Sequence, residues 1–544
     1  MSPVRTAALF FAILLVPAVS SEQPDDSYLR IAKAIESFGE IFREVQLRYV
    51  DPVDPVELVD VGIDAMMEHL DPYSEYMVGD ESEDVQNITT GSYVGVGIVV
   101  DEINGNLYIS DLREGGSARE SKIRIGDRII RVDSAWADTL GQDGLRSYTR
   151  GQAGSKVSMW LLRDGKSDTI KVLLERRALE LESIYAAHRF SSSIGYIKLT
   201  RFTSNTRDEL ADAIQELQNE GPLTGLILDL RDNPGGLLDA AIGITELFVP
   251  QGSAIVTTRG RSSDETRLYA SNRPSKYPKL PLAVLINESS ASASEVVAGA
   301  LQDLDRAVII GRRSYGKGFV QTMIPLSAGA SVLKLTTARY YTPSGRCIQR
   351  LDTRNADSGS VDRFRTSNGR RVSARHGIDP DSTVSDSILP TTLANLEQSG
   401  AIAMFATRYA ARFESLPDDF LAPKSAVEDF IRFVATLPND MRDPLFQSIK
   451  RLEQAIDESA ANQAIKSALK TLQVQVERDY QAQLKNNSSL LIELLSHEIR
   501  SRFSTGSIQY RAGLLAIPSV RAAHEVLQSP KYGAFLAPKL PSDQ

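Results

Sequence analysis

One stretch of this chain, an apolar run followed by a serine-rich turn, constrains the fold more than any other. Leu282–Ile286 is continuously apolar, which is typical of a strand buried on both faces of a sheet. Apolar residues then return at helical spacing across residues 293–301. The pattern predicts a buried strand, a turn and a helix, and it places Ser292 at the N-terminus of that helix.

Ser292 allows two interpretations. The free backbone N–H groups at a helix N-terminus favour negative charge. Acyl transfer needs that environment beside its nucleophile, because the tetrahedral intermediate carries an oxyanion. However, Ser292-x-x-Glu295 is also the spacing of a capping box, in which the serine only caps the helix. On these two residues alone, the cap is the favoured interpretation.

Lys317 shifts that balance. It lies between Gly316 and Gly318, which leave the backbone free to bring the lysine close to another segment. Gln321 follows four residues later in a β-like run, so in an extended chain the two side chains point to the same face. A single lysine between glycines is usually a solvated loop residue, but the combination with Ser292 is less easily dismissed.

The run SASASE around Ser292 and the run GKGFVQ at residues 316–321 resemble those of the carboxyl-terminal processing, or tail-specific, proteases. The resemblance covers roughly residues 28–381. It implies a Ser/Lys dyad, with Ser292 as nucleophile and Lys317 as general base, while Gln321 orients the lysine. It also implies a crotonase- or ClpP-like α/β protease core that needs no metal ion and no other cofactor.

A second segment, RDNPGG at residues 231–236, contains two consecutive glycines. By itself this segment indicates a plain turn from a strand into a helix. The family resemblance implies that it lies against the nucleophile. Gly235 or Gly236 would then donate one N–H group to the oxyanion, and Ala293 would donate another.

Residues 91–179 change to short β-like runs and resemble a PDZ domain. The resemblance rests on GSYVGVGIVV at residues 91–100 and on IGDRIIRVD at residues 125–133. It implies that the loop Gly95-Val96-Gly97-Ile98 holds a peptide carboxylate with backbone N–H groups. A Gly-x-Gly run alone is more often just a tight turn.

The length of 544 residues favours several domains. Strand–helix–strand alternation in the middle of the chain predicts a layered core, within an α/β (α+β) multidomain protein. We expect a signal peptide at 1–20, an N-terminal helical region at 21–82, a linker at 83–90, a PDZ domain at 91–179, a protease core at 180–384 and a C-terminal helical region at 385–544.

Residues 1–20 are typical of a secretory signal, with Arg5, an apolar stretch and small residues where a signal peptidase cuts. We therefore expect an exported protein, periplasmic or extracellular. An uncleaved N-terminal anchor, which would make the protein membrane-associated, is the alternative.

Composition argues against several classes. The net charge of −9, with acidic and basic residues mixed along the chain, argues against nucleic-acid binding. Cys347 is the only cysteine, so there is no disulfide framework and no thiolate metal cluster. The five histidines are scattered, without the spacing of metal ligands. None lies near SASASE or GKG in the sequence, which disfavours a Ser-His-Asp site.

Three functions stay open at this stage. The first is an exported endoprotease that selects unfolded or tagged proteins by their free, apolar C-termini through the PDZ domain. The second is a non-catalytic scaffold with the same domains, which would need none of Ser292, Lys317 and Gln321. The third is an acyl-CoA enzyme of the crotonase type, which a signal peptide disfavours. Partners under the first hypothesis are protein substrates, and the helical regions suggest a homo-oligomer.

Overall fold

The computed structural model describes residues 26–79, 87–103, 105–164, 168–326, 331–350, 364–374, 376–386, 389–413, 415–417, 420–458, 463–503, 514–530 and 532–538. The predicted signal peptide at residues 1–20 lies outside this set. The chain divides into two compact units, Met1–Tyr76 and Met77–Gln544. None of the described helices has both the length and the apolar character needed to cross a lipid bilayer.

The first unit contains two helices, α1 at Asp26–Arg48 and α2 at Pro55–Leu70. Asp54 caps α2, because its carboxylate accepts the backbone N–H of Val56 at 2.7 Å. No residue of α2, which is described throughout, is buried. Apolar side chains of both helices are more than half exposed, among them Ile31, Ile35, Phe38, Ile41, Val61 and Met66. Strand β1, Glu75–Val78, follows α2.

In its described residues, the region predicted as a PDZ domain contains antiparallel strands, an α-helix and a short 3-10 helix at Ala137–Thr139. Its larger sheet has the order β3-β4-β5-β7-β8, with β6 paired to β5, while β2 pairs with β9. Buried and less buried residues alternate along β7, as expected for a sheet with one face on a core. The elements are β2 Ser92–Gly95, β3 Ile98–Ile103, β4 Asn106–Leu112, β5 Arg128–Val132, β6 Ala135–Trp136, α3 Gly141–Thr149, β7 Lys156–Leu162, β8 Thr169–Glu175 and β9 Arg177–Glu180.

The predicted protease core is built on a sheet of order β10-β11-β12-β15-β16-β21. Strands β11 to β21 of this sheet are parallel, and β10 is an antiparallel edge. Every residue of β12 and β15 is buried, as the apolar run of β15 predicts. The strands are β10 Ile184–Arg189, β11 Ile194–Leu199, β12 Gly225–Asp229, β15 Leu282–Ile286, β16 Val308–Gly311 and β21 Ser382–Thr383.

Helices cover both faces of this sheet. On one face, Leu228 and Val284 pack in a cluster with α4 (Thr206–Asn219), α5 (Leu238–Glu246) and α6 (Ala293–Asp303). On the other face, Ile227 and Leu285 pack against a helix from the C-terminal end of the chain, α13 (Pro518–Gln528). From the sequence this helix is predicted as part of the C-terminal helical region, because periodicity shows an apolar face but not what the face packs against.

A second sheet contains strands in the order β17-β18-β13-β14. Its strands are antiparallel, and β17 and β18 form a long pair that follows the GKG segment. A short pair of strands, β19 and β20, lies further along the chain. The bounds are β13 Ala254–Arg259, β14 Arg267–Ala270, β17 Phe319–Pro325, β18 Ser331–Tyr341, β19 Phe364–Arg365 and β20 Arg371–Val372.

The C-terminal region is helical, and most of its helices share one apolar core. Phe405, Phe430, Leu491 and Leu495 are central members of that core. The helices are α7 Thr391–Gln398, α8 Ala401–Ala410, α9 Lys424–Ala435, α10 Pro444–Glu458, α11 Gln463–Asn486, α12 Ser488–Arg500, α13 and α14 Tyr532–Phe535. The predicted fold class is confirmed: the chain is a multidomain α+β protein with helical terminal regions.

Candidate active site

Three parallel strands end at the same edge of the central sheet, and the segments singled out in the sequence follow them. Strand β12 leads into RDNPGG, β15 into the turn with Ser292, and β16 into the segment with Lys317. Carboxyl ends of parallel strands are where α/β sheets place their sites. The topology therefore brings together segments that are far apart in the sequence.

Ser292 lies between the turn after β15 and the first residue of α6. Its backbone φ of 55° is positive, which is uncommon for a residue with a side chain. Such a conformation costs about 1–3 kcal/mol and persists only where the surroundings enforce it. The Ser292 backbone N–H donates to Glu295 Oε2 at 2.9 Å, so the Glu295 half of the predicted capping box is present.

Glu295 does more than cap a helix. Its carboxylate is fully buried and accepts hydrogen bonds from four groups. Oε1 accepts from Ser314 Oγ at 2.6 Å and from the Gly316 N–H at 2.7 Å. Oε2 accepts from the Lys317 N–H at 2.8 Å and from the Ser292 N–H at 2.9 Å. Glu295 Oε2 thus accepts the backbone N–H groups of both Ser292 and Lys317. The two backbone nitrogens are therefore no further apart than these two hydrogen-bond lengths added together.

The charge on Glu295 depends on these contacts. Burial raises the pKa of the Glu295 carboxyl, and the four hydrogen bonds that it accepts act in the opposite direction. A buried carboxylate keeps its charge only when donors replace the water it has lost. The turn with Ser292 and the GKG segment are therefore held by one buried group that tolerates little displacement.

The glycines beside Lys317 are both sterically required. Gly316 has a φ of +90°. A Cβ atom on Gly318 would lie 2.5 Å from the backbone nitrogen of Gln349. The Lys317 side chain between them is partly buried. Glycine therefore allows the close approach of this segment to neighbouring backbone, which is the physical reason proposed from the sequence.

Gln321 lies in β17, and its Nε2 donates to Thr336 Oγ1 on β18 at 3.2 Å. Lys317 lies before β17, which begins at Phe319, and the register shifts between Val320 and Gln321, where the extra residue belongs to β18. The expectation that the Lys317 and Gln321 side chains share a face therefore stays a prediction. A role of Gln321 in orienting Lys317 stays a prediction.

The RDNPGG segment packs directly against the nucleophile candidate. Gly235 has a φ of +105°, and a Cβ atom there would lie 2.9 Å from Ser292 Cβ and 3.0 Å from the Ala293 nitrogen. Gly236 is equally constrained, since its Cβ would lie 2.2 Å from the Phe202 carbonyl oxygen. Only glycine fits at either position.

The amides of this segment are not equivalent. The Gly235 N–H donates to Asn233 Oδ1 at 2.9 Å and is therefore already bonded. The N–H groups of Gly236 and Ala293 have no acceptor among the described residues. Of the two glycines that the sequence analysis left open, Gly236 is the one with an available N–H group. Nowhere in the described part do three or more His, Cys, Asp or Glu side chains gather as a metal would need.

A separate groove of about 300 Å³ lies in the PDZ region. Its wall includes the predicted loop, in which Gly95 ends β2, Ile98 begins β3, and Val96 and Gly97 lie between them. A Cβ on Gly97 would lie 2.7 Å from Gly116 Cα, so the loop needs glycine there. Helix α3 forms the opposite wall, and four guanidinium groups also line the groove, from Arg113, Arg146, Arg150 and Arg201.

Comparison with known proteins accounts for most of these segments. Residues 193–355 match peptidase family S41, residues 94–174 match a PDZ domain, and residues 392–527 match the C-terminal helical domain of probable PDZ-proteases. A carboxy-terminal-processing protease of Bartonella bacilliformis is 36% identical over 340 residues, which cover 62% of this chain and 76% of the relative. The chain belongs to the carboxyl-terminal processing proteases of peptidase family S41. The predicted family resemblance is confirmed.

Two further carboxyl-terminal processing proteases are similar to this chain. A carboxyl-terminal-processing protease of Synechocystis sp. is 35% identical, covering 53% of this chain and 68% of the relative. The solved structure of the photosystem II D1 C-terminal processing protease is 28% identical, with a TM-score of 0.34, and covers 66% of this chain and 94% of that one.

Tyr340 also lies at the candidate site of this carboxyl-terminal processing protease, although it was not predicted from the sequence. Its buried hydroxyl is hydrogen-bonded with the Ser292 side chain, and its backbone N–H donates to the Gly318 carbonyl at 2.7 Å. Burial raises the pKa of Tyr340 to about 12, against the opposing effect of that hydrogen bond. Tyr340 therefore contacts both the serine and the GKG segment. The only signal in the sequence is the run ARYYTPSG at residues 338–345, which carries no spacing that points to Ser292.

Asn233 is a second such residue. Its side-chain Nδ2 donates to the Leu199 carbonyl at 2.9 Å, and its own carbonyl accepts from Ser294 Oγ at 2.9 Å and from the Ala291 N–H at 3.1 Å. The glycine-rich turn is thus bonded both to β11 and to the start of α6. The sequence shows Asn-Pro-Gly-Gly as a turn, but not the segments that the asparagine joins.

Proposed function

We propose that this protein is a serine endoprotease in which Ser292 is the nucleophile and Lys317 is the general base. The observation that carries the proposal is the shared bond of Glu295 Oε2 to the backbone N–H groups of both residues. A serine hydroxyl is a weak nucleophile and needs a base beside it. The role of Gln321 is to orient the lysine amine, as the family resemblance implies.

The reaction then proceeds in two balanced halves. Neutral Lys317 Nζ takes the Ser292 hydroxyl proton as Oγ attacks the scissile carbonyl carbon, and the carbonyl oxygen becomes an oxyanion. The resulting ammonium gives its proton to the leaving amine as the C–N bond breaks, which leaves an ester on Ser292. Water attacks that ester, its proton passes to the lysine and then back to Ser292 Oγ, and the new carboxyl end is released.

The N–H groups of Gly236 and Ala293 are the proposed oxyanion donors. Support comes from the contact of Gly235, the neighbour of Gly236, with Ser292 and Ala293, and from the bond that already occupies the Gly235 amide. Such donors are effective because they are fixed before the charge develops. Because Gly235 has no side chain, its backbone can lie close to Ser292 and Ala293.

The PDZ groove is proposed to hold the free C-terminus of the substrate, which in unfolded or tagged proteins is accessible. The loop from Gly95 to Ile98 would bind the carboxylate through backbone N–H groups, and an apolar last side chain would contact the groove wall. Four guanidinium groups, against the two carboxylates of Glu180 and Glu182, favour an anion in this groove. Burial lowers the pKa of the Arg201 guanidinium, and the charge of Arg113 acts in the same direction, so a bound carboxylate would relieve an unfavourable arrangement.

Export and self-association complete the proposal. The signal-like residues 1–20 support export to the periplasm or the extracellular space, and the N-terminal sequence of the mature protein tests this.

The exposed apolar faces of α1 and α2 support pairing of two copies through these helices, since two helices alone bury too little surface to be stable. Replacing Phe38 and Ile41 with aspartate should then lower the mass measured by light scattering.

The test of the proposed function is hydrolysis of an unfolded protein by wild type and by Ser292→Ala. The variant should fold normally and should produce no fragments, because no other group supplies the nucleophile. Turnover by a folded Ser292→Ala protein close to wild type would refute the nucleophile assignment. Absence of hydrolysis by the wild type, with tight binding of the same protein, would favour the scaffold alternative.

A further inference from the structure

A buried ion pair lies at the start of the glycine-rich turn. Arg231 donates from Nε to Asp229 Oδ1 at 2.9 Å and from Nη2 to Asp229 Oδ2 at 2.5 Å. The Tyr196 hydroxyl donates to the same Oδ2 at 2.5 Å. Burial acts to raise the pKa of the Asp229 carboxyl, but Arg231, with Lys198 and Tyr196, holds it below its ordinary value. This end of β12 is therefore an ionised, fully bonded cluster inside the protein.

The other end of the Arg231 guanidinium is bonded to residues that lie outside the predicted protease core. Nη1 donates to Asp386 Oδ2 at 2.6 Å and to Ser519 Oγ at 3.0 Å. Ser519 lies in the first turn of α13, and its backbone N–H donates to Asp386 Oδ1 at 2.8 Å. Asp386 thus forms a second ion pair with the guanidinium and also accepts a backbone N–H in the first turn of the helix.

Helix α13 is firmly attached to the face of the sheet behind the candidate site. Val520, Ala523 and Leu527 belong to the same buried cluster as Ile227 and Leu285 of β12 and β15. Packing in this cluster holds α13 against the sheet, and the hydrogen bond to Ser519 Oγ connects α13 to Arg231. Arg231 is only two residues before Asn233, whose side chain binds the Gly235 amide.

We propose that Asp386 and Ser519 are positioning residues for the oxyanion donors, acting through Arg231, so that α13 forms part of the active site although it touches no substrate. The proposal rests on the proposed function, because it concerns the same Gly236 and Ala293 amides. The hydrogen bonds of the turn are short and directional, so loss of support at Arg231 displaces the amide that must meet the oxyanion.

The chain offers a matched control on the same helix. Ser192 Oγ is hydrogen-bonded to His524 Nε2 of α13 at 2.7 Å. Ser192 precedes β11, so this contact lies at the amino ends of the parallel strands, opposite the edge that carries Ser292. Ser519→Ala and Ser192→Ala each remove one hydroxyl contact to α13, but only the first affects the turn with the glycines.

The experiment compares steady-state hydrolysis of one unfolded protein by the full-length wild type, Ser519→Ala, Ser519→Thr and Ser192→Ala. Removing an oxyanion donor outright costs about 10²–10³ in kcat, so displacing one should cost about tenfold. We expect that loss in Ser519→Ala with KM unchanged, because the oxyanion forms only in the transition state. Ser519→Thr should restore kcat, and Ser192→Ala should stay within about twofold of wild type.

A second measurement separates positioning from stability. A peptide aldehyde forms a hemiacetal oxyanion on the serine, so its affinity should weaken by about the same factor as kcat in Ser519→Ala. If Ser519→Ala does not fold, Asp386→Asn tests the same guanidinium from a partly exposed position. Equal kcat losses in the two alanine variants, or unchanged kcat and aldehyde affinity in Ser519→Ala or Asp386→Asn, would overturn the proposal. A wild type whose hydrolysis does not depend on Ser292 would instead refute the proposed function.

Discussion

Glu295→Gln is the substitution that most directly tests how the candidate site is held together. Glutamine has the shape of glutamate, but one of its two oxygens is replaced by an NH₂ group. Two of the four donors around Glu295 point at each oxygen, from Ser314 and Gly316 on one side and from Ser292 and Lys317 on the other. If the NH₂ group faces Ser292 and Lys317, both backbone N–H groups lose their acceptor. If it faces Ser314 and Gly316, the Gly316 N–H loses its acceptor, while the Ser314 hydroxyl can accept from the amide.

The expected cost follows from this count. A buried donor without an acceptor costs about 1–3 kcal/mol, so one or two of them cost about 1–6 kcal/mol. Glutamine avoids part of the penalty of burying a charge, which is the reason that the pKa of Glu295 is raised, so we expect a loss of about 2–4 kcal/mol. Proteins of this kind have about 5–15 kcal/mol of unfolding free energy, so the variant should still fold.

Activity should fall further than stability does. If the amide turns its NH₂ group towards Ser292 and Lys317, the bond that joins their backbones is lost, and we expect kcat/KM to fall at least about 100-fold, as for misplaced reacting groups. Unfolding in guanidinium chloride, followed by circular dichroism, gives the stability, and hydrolysis of an unfolded protein gives kcat/KM.

Glu209→Gln is the matched control for this experiment. The Glu209 carboxylate accepts the Ser183 N–H at 2.8 Å and the Ser183 hydroxyl at 3.2 Å, and neither residue belongs to the candidate site. This control should lose stability but keep kcat. An unfolding free energy of Glu295→Gln within about 0.5 kcal/mol of wild type, the range of a neutral surface change, would show that the four bonds do not hold the site.

Three further predictions concern the base, the tyrosine and the substrate tail. Lys317→Arg keeps the positive charge but cannot deprotonate, so it should be as inactive as Lys317→Ala, and substantial hydrolysis by the arginine variant would exclude a general-base role. Because the pKa of Tyr340 is raised to about 12, its contribution to stability is present below about pH 10, its ordinary pKa, and is lost as the pH rises towards about 12. Tyr340→Phe should therefore show a shallower loss of unfolding free energy across that window, and identical slopes would contradict the burial argument. Finally, an unfolded protein with a free apolar C-terminus should have a higher kcat/KM than the same protein amidated or ending in Asp or Lys, and equal values would mean that the PDZ groove does not select tails.

The parts of the fold that the sequence predicts well are those controlled by local patterns. The continuous apolar run of β15 and the helical spacing of α6 correspond to a fully buried strand and a buried helix in the structure. Glycines at positions 235 and 316 mark places where the backbone has a positive φ. These features depend on neighbouring residues and on the conformations that each residue type permits, so a single sequence carries them.

The candidate site is only partly of this kind. The spacing of Ser292 and Glu295 indicates a cap, and the run GKG indicates a close approach of backbone. Nothing in the spacing shows that Glu295 accepts the N–H of Lys317, which follows it by 22 residues. The spacing also does not show that the register between β17 and β18 shifts at Gln321, because such a shift depends on the pairing of two strands.

Sequence alone thus predicts the strand–helix pattern of the core, the family, and which residues are candidates for the nucleophile, the base and the tight glycine turns. Tertiary structure decides which of these groups meet: that Glu295 joins the serine and lysine segments, that Gly235 uses its amide within its own turn, and that Ser519 reaches Arg231 across 288 residues. The physical reason is that hydrophobic periodicity identifies a face to be buried without naming its partner. A buried polar group must find its hydrogen bonds wherever the folded chain supplies them.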